Sequence, residues 1–473
     1  MEFLQRVSQQ LFELENTDTV HDLVILGKTY AAMEKDGSES EAGLTTSASP
    51  GVFGQLFNRD KGWNPEFLER VQELVHFTYR TKFEPIPKDP AGPSPMNFGM
   101  LFRENPLNSI ESAINHPDCF CSDIGWGCMI RTGQALLGNA LQQLQKLHTK
   151  GDSLSHQQTQ QVIGWFEDRY SAPFSLHNFV KQGLKLSHKS PGEWFGPSAT
   201  SRSIQSLVLD FPECGISQCV ISTDSADVYE EDLEPIFAKD PDSVVLLLLG
   251  VKLGLDNVNA RYWNDVRQIL NSHQSVGIAG GRPSSSLYFF GYQDEYLFYL
   301  DPHTSQLDLA SLSSSQEKYN SVHSHRFNKI HFSELDPSML IGVLLRGSEG
   351  WKTWKQDVAD SQIIHVLPSR PQDYFLDDDG VISELEDETD QVGARDSTLD
   401  GEYVDVAPMC QQAGLSNNDD EFQDVQCKNQ KILIFGDHDS TAPDTEVERV
   451  LVGQETVPLV ISQEPKTAIT PVL

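Results

Sequence analysis

The feature that most constrains this chain is the uneven placement of its charge. Residues 371–473 hold 24 acidic and 5 basic side chains, a net of −19, while the first 370 residues carry only −15. A segment so acidic and so poor in apolar clusters cannot bury enough surface to offset its chain entropy. It is expected to be a largely disordered tail. The core must therefore come from residues 1–370, which is length enough for one large domain. The total of −34 also argues against binding to nucleic acid or to anionic membrane, since both need basic patches. A basic protein partner remains open.

The start, Met1-Glu2-Phe3-Leu4-Gln5-Arg6, lacks the basic and apolar regions of a signal peptide. The longest apolar run, Val244–Leu249, is too short to span a bilayer and reads as a buried strand. A soluble, intracellular protein is expected. The seven cysteines include no C-x-x-C pair, and an odd count without a signal favours free thiols. His116, Cys119 and Cys121 cluster, but their spacing is poor for structural zinc, so an ordinary loop is expected and no metal site.

Helices are expected at 17–35, 65–79, 129–147, 161–182, 201–209 and 258–271. The clearest is 129–147, where Ile130, Leu137, Leu141 and Leu144 recur at helical spacing. Strands are expected at Cys219–Ser222, Ser243–Val251, Val276–Ala279, Ser286–Tyr292 and Tyr296–Leu300, the last two joined by a hairpin-sized Gln293-Asp294-Glu295. Residues 37–62 and 84–97 read as flexible insertions. The second holds five prolines between Pro85 and Pro95, which suits an extended loop. Helices come mostly first and strands mostly later, so the fold class is α+β.

Cys128 is the chemically suggestive residue. It opens the strongest helix, behind Gly125-Trp126-Gly127. Unpaired N–H groups and the helix dipole favour thiolate there, and the glycine allows a substrate backbone to approach. Most intracellular cysteines are small buried hydrophobes, so a base is required before chemistry is inferred. Asp301-Pro302-His303 follows the strand Tyr296–Leu300. Residues two apart in extended chain share a side, so Asp301 can hold the imidazole while its other nitrogen faces the thiol. Gly280-Gly281-Arg282-Pro283-Ser284 reads as a turn between strands. Trp194 alone reads as core.

Together these residues resemble the autophagins, the cysteine proteases of autophagy, and the fungal members above all. The resemblance rests on Asp123–Gln134, Gly280–Pro283, Ser286–Tyr292, Leu300–Thr304, Phe77–Arg80, Glu193–Pro197 and Leu335–Ser338, in order across about residues 20–370. It implies a papain-like fold with a small added subdomain, a catalytic domain over 1–370 and the acidic tail over 371–473. It implies Cys128 as nucleophile, His303 as base, Asp301 as its orienter, and Tyr79 as the hydroxyl lining the oxyanion site. Pro283 matches the tip of a regulatory loop and Trp194 the aromatic it packs on. Arg282 stands where lysine is common.

The implied substrate is the ubiquitin-like autophagy modifier, both free and conjugated to phosphatidylethanolamine. The implied reaction trims the precursor after a glycine and later releases the modifier from lipid. No cofactor is implied. A cytoplasmic monomer is expected, transiently at autophagosome formation sites, touching membrane only through its lipidated substrate. In the tail, Tyr403 with Val406 and Phe422 with Val425 fit an aromatic-x-x-aliphatic pattern that adds to a sheet edge. Two rival readings are a protease for another ubiquitin-like protein and a non-enzymatic scaffold. The intact Cys128, Asp301, His303 and Tyr79 disfavour the scaffold.

Overall fold

A computed structural model describes residues 16–33, 62–95, 116–149 and 155–371, apart from Asp224, Ser284 and His325, together with short strands further along. Met1–Glu386 forms one compact unit and Asp387–Leu473 another. The described part of the second unit is an antiparallel sheet of Ile434–Phe435, Val447–Val452 and Glu455–Val460. Its first strand falls within a short apolar stretch of the tail, Lys431-Ile432-Leu433-Ile434-Phe435. Tyr403, Val406, Phe422 and Val425 lie outside the described residues, as does 37–61.

The first unit opens with β1 (Leu23–Ile25) and β2 (Lys28–Tyr30), then α1 (Pro65–Gln72), β3 (Tyr79–Pro87) and β4 (Cys119–Ser122). Four helices follow: α2 (Cys128–Thr149), α3 (His156–Gly164), α4 (Leu176–Ser187) and α5 (Pro197–Leu209). Next come β5 (Gln218–Ser222), β6 (Asp227–Tyr229), α6 (Glu230–Lys239), β7 (Val244–Lys252) and α7 (Trp263–Asn271). Then β8 (Ser275–Arg282), β9 (Ser285–Gln293), β10 (Tyr296–Leu300) and β11 (Ser305–Leu307) run in succession. The unit continues through α8 (Ser315–Val322), β12 (Asn328–His331), β13 (Ser338–Arg346), α9 (Gly347–Asp357) and β14 (His365–Leu367).

The main sheet has the order β12-β10-β9-β8-β13-β7-β5. Only β5 with β7 is parallel along that path. The apolar run at 244–249 is indeed a strand covered on both faces. Leu246 and Leu248 enter the core shared with α2, while Val245, Leu247 and Leu249 enter a second core with α7 and α9. The same alternation recurs in β13, β9 and β10, as the two-residue period of a strand requires. Helix α2 is buried almost all round, with Ile130, Leu136, Leu137 and Ala140 fully enclosed. Its body is therefore fixed by packing rather than by helix propensity.

The structure departs from the sequence expectations at four places. Residues 17–35 form the β1–β2 hairpin, not a helix. Leu26 (φ +41) and Gly27 (φ +82) make a left-handed turn, and a Cβ on Gly27 would lie 2.7 Å from the His273 backbone. Val24 and Ile25 then pair with Tyr292 and Gly291 of β9, past the point where β8 pairs. Helix α1 ends at Gln72, because Val75–Tyr79 is taken into pairing: His76 N–H donates to Val322 O at 2.7 Å.

The proline-rich stretch is a loop only after Pro87. Strand β3 continues through Pro85 and Pro87 because β11 leaves it at Thr81, so the prolines fall where a single neighbour, β4, remains. The helix expected at 161–182 is two helices. Pro173 interrupts the pattern, and Ser175 caps α4 by accepting from Asn178 N–H.

Leu248 is fully buried on the α2 side of the central sheet. Leu248→Ala is expected to cost about 2–5 kcal/mol, read as a lower urea midpoint at unchanged m-value.

Candidate active site

The chain between β4 and α2 is built to present Cys128. Trp126 N–H and Gly127 N–H both donate to Asp123 O, at 3.2 and 2.9 Å, and close a tight turn. Gly125 sits at φ +88, a conformation that favours glycine. A Cβ on Gly127 would meet Asp123 Oδ2 at 2.4 Å, so the residue before the cysteine must also be glycine. Cys128 is thus the first residue of α2, where the helix's free N–H groups and dipole favour negative charge.

The partner comes from the end of β10. Asp301 Oδ1 accepts the His303 backbone N–H at 2.9 Å and lies 2.5 Å from His303 Nδ1. The same-side arrangement expected for residues two apart is therefore present. His303 in turn hydrogen-bonds the Cys128 sulfur. Tyr79 is brought in by the parallel pairing of β3 with β11. Its N–H donates to Pro302 O at 2.8 Å, and its ring meets His303 edge to face at 5.3 Å. The Tyr79 hydroxyl hydrogen-bonds the same sulfur.

Cys128 is 1% exposed, yet Trp194 beside it is 42% exposed. Its indole Nε1–H donates to Cys128 Sγ at 3.0 Å. The core placement that Trp194 suggests in isolation is therefore wrong, because a polar partner holds the ring at the rim of a cleft. On the other side stands the β8–β9 hairpin. Ser286 N–H hydrogen-bonds the sulfur, and Ser285 Oγ lies 3.5 Å from His303 Nε2. Pro283 is exposed at the hairpin tip. Arg282 points outward and donates to Glu334 at 3.2 Å, while Asp336 N–H donates to Gly281 O at 2.7 Å.

Electrostatics follow from these contacts. Burial pushes the Cys128 thiol up, but hydrogen bonds from His303, Ser286 N–H and Trp194 outweigh it and bring the thiol below its ordinary value. Burial disfavours the His303 imidazolium, yet Asp301 and the Cys128 sulfur push it up to about 9. Burial likewise opposes the Asp301 carboxylate, and His303 holds it below the usual range. The Cys128 and His303 shifts both favour the thiolate–imidazolium form of the pair, the form competent for nucleophilic attack. Burial, then the nearby Cys128 and Asp123 charges, push the Tyr79 hydroxyl well up, so it remains a hydrogen-bond donor.

Residues 64–357 match the model of the peptidase C54 catalytic domain. A probable cysteine protease ATG4 of Eremothecium gossypii is 52% identical, over 97% of this chain and 89% of that protein. The cysteine protease ATG4 of Saccharomyces cerevisiae is 44% identical over 97% and 96%, and a probable one of Kluyveromyces lactis 46% over 96% and 99%.

The chain belongs to the peptidase C54 family.

As a member of that family, the autophagins, it is an autophagy-related cysteine protease with a papain-like fold, and its likeness is to fungal members. In this peptidase α2 is the buried central helix, and the sheet brings histidine and aspartate to the helix's first residue.

Sequence reasoning overlooked one group behind the site. His76 Nε2–H donates to the Asp301 carbonyl at 2.8 Å. Burial pushes its pKa down to about 4, from the usual 6.5. No spacing rule marks it, since its partner is 225 residues away. The Ser286 N–H at the sulfur is equally invisible, because a backbone donor leaves no residue signature. Cys119 and Cys121 lie two apart on β4 as free thiols. Among the described residues the one cluster with metal-like spacing is elsewhere, at Asp18, His21 and Asp294.

Two outcomes are expected. A histidine held neutral in the fold loses stability as pH falls from 6.5 towards 4, because the unfolded chain takes up the proton first. Against a His76→Gln variant, the wild type is expected to lose about 2 kcal/mol more between pH 7 and 4.5, read by denaturant titration at each pH. Asp301→Asn removes a group that raises His303. In the pH dependence of Cys128 alkylation by iodoacetamide, the imidazolium limb near pH 9 is therefore expected to move to lower pH.

Proposed function

We propose that the chain cleaves after the C-terminal glycine of a ubiquitin-like autophagy modifier, both to process its precursor and to release it from phosphatidylethanolamine. The observation that carries this reading is the cover over the nucleophile. Cys128 is 1% exposed beneath Trp194 and the β8–β9 hairpin. A scissile segment reaches the sulfur only by entering between them, and a residue without a side chain is the one that enters most readily. A globular domain with an extended tail ending in glycine supplies such a segment. The names of the relatives, cysteine protease ATG4 in several fungi, support the choice of modifier.

In this mechanism the Cys128 thiolate attacks the glycine carbonyl carbon. The developing oxyanion takes hydrogen bonds from the Tyr79 hydroxyl and the free N–H groups at the start of α2. His303 passes its Nε2 proton to the departing nitrogen, which leaves as a peptide amine or as the ethanolamine amine. The remaining thioester is hydrolysed by water, His303 now acting as base, and Cys128 is restored. Asp301 keeps the imidazole oriented throughout. Both cleavages thus use one site, because each breaks an amide on the same glycine.

The enzyme works in the cytoplasm and visits membranes by holding the modifier. With a net charge of −34 it gains no Coulomb attraction to anionic lipid. The test is a precursor bearing extra residues after its glycine. Wild type is expected to remove the extension, and Cys128→Ser to lose about 10⁴-fold or more in rate, followed by mass spectrometry. An extension left intact by wild type defeats the proposed substrate. One trimmed by Cys128→Ser defeats the proposed nucleophile.

A further inference from the structure

Beneath the site lies a buried ionic network that the proposed mechanism does not use. Asp123, Arg131 and Asp168 are each fully buried. Arg131 Nε–H donates to Asp123 Oδ2 at 2.8 Å, and its Nη1–H to Asp168 Oδ1 at 2.7 Å. The two carboxylates differ in what else they hold. Asp168 Oδ2 accepts Leu309 N–H at 3.2 Å. Asp123 Oδ1 accepts Arg80 N–H at 2.6 Å, and Asp123 N–H donates back to Arg80 O at 3.3 Å.

Asp123 therefore grips three parts of the site at once. Its main-chain carbonyl closes the turn ahead of Cys128. Its carboxylate is tied to Arg131, one turn along α2 from the nucleophile. Both backbone groups of Arg80 are bound to it, and Arg80 directly follows Tyr79 on β3. The carboxylate lies so close over Gly127 that no Cβ fits there.

We propose that Asp123 is a positioning residue whose carboxylate fixes the spacing between the Tyr79 hydroxyl and the Cys128 sulfur. Strand β3 and helix α2 both reach the site, and the Asp123 carboxylate is bonded to each. Its effect on turnover runs through Tyr79, at the oxyanion, and leaves the Cys128–His303 pair alone, since Asp301 holds that pair from the end of β10. This inference rests on the roles proposed above for Cys128 and Tyr79.

A double-mutant cycle of Asp123→Asn with Tyr79→Phe tests it, using the extended modifier precursor and the full chain. Tyr79→Phe is expected to lower kcat by about 100-fold, the scale of one oxyanion donor. Asp123→Asn in the wild-type background is expected to lower kcat about tenfold or more while KM changes less than about twofold, part of the same donor's effect. In the Tyr79→Phe background it is expected to cost less than about threefold further, because groups acting through one another are not additive. Iodoacetamide alkylation of Cys128 needs no oxyanion donor, and its plateau rate, read where the thiolate is fully formed, is expected to match wild type in Asp123→Asn. Asp168→Asn, which removes the other carboxylate from Arg131, is expected to lower the melting temperature with kcat per folded molecule kept.

Equal losses from Asp123→Asn in both backgrounds would overturn the proposal. So would a parallel fall in alkylation, an equal kcat loss in Asp168→Asn, or full activity in Tyr79→Phe. If Asp123→Asn does not fold, Arg131→Lys loosens the same carboxylate and is read by the same cycle. Failure of wild type to cleave the precursor is a different result, and it strikes the proposed function alone.

Discussion

The enclosure of α2 is the constraint on which everything else in this molecule depends. A 22-residue helix packed on nearly every side cannot slide or turn without opening cavities, each at a cost of some kcal/mol. The position of its first residue is therefore set by the core, not by the site. Every other functional group has to be delivered to that point. Strand β3 brings Tyr79, the end of β10 brings Asp301 and His303, β9 begins with a backbone N–H at the sulfur, and the loop before α5 brings Trp194. Rigidity of the receiving point is what lets four separate elements converge with hydrogen-bond accuracy.

Local donors overrule the global field here. A chain with a net charge of −34 is a poor host for a further anion, and burial adds to the penalty on a thiolate. Yet the Cys128 thiol is brought down, because His303, Ser286 N–H and Trp194 all point hydrogens at it. At contact distance in a poorly solvated site one imidazolium and two oriented N–H dipoles outweigh many screened surface carboxylates. The same logic explains the neutral His76. Its ring bonds one carbonyl, and burial outweighs both that bond and the Asp301 charge, so burial decides its state.

Much of this was legible in the sequence, and the legible parts share a physical reason. The run Val244–Leu249, too short to span a bilayer, reads as a buried strand and is one. Cys128 behind Gly125-Trp126-Gly127 could be placed at a helix start from glycine and periodicity alone. Asp301 and His303 could be paired because an extended chain repeats every two residues. What misled was local propensity where tertiary pairing decides. The β1–β2 hairpin exists because β9 offers it an edge, and the prolines of β3 are tolerated because β11 stops short. Trp194 was misjudged for a related reason: an indole is placed by its N–H as much as by its apolar area. The buried Asp123–Arg131 pair lay inside a recognised motif, but eight residues of sequence separation do not reveal that it also grips β3.

The donors around the sulfur fall into two groups with opposite consequences for turnover. On the proposed mechanism, the His303 and Tyr79 contacts remain useful once a substrate carbonyl arrives, since one supplies the proton and the other meets the oxyanion. The Trp194 and Ser286 contacts do not. They stabilise the thiolate while the sulfur is covered, and on the proposed function both are displaced when the substrate chain enters. A substrate must therefore contribute enough binding energy, away from the scissile bond, to replace two hydrogen bonds to an anion, each worth about 1.5–3 kcal/mol. A short glycine peptide has no surface with which to do so. A folded modifier that engages the rim around Trp194 and the β8–β9 hairpin does. On the proposed function, selectivity for a whole domain rather than a short sequence follows from the resting state of the cysteine, and the cover over it adds the demand for glycine at the bond itself.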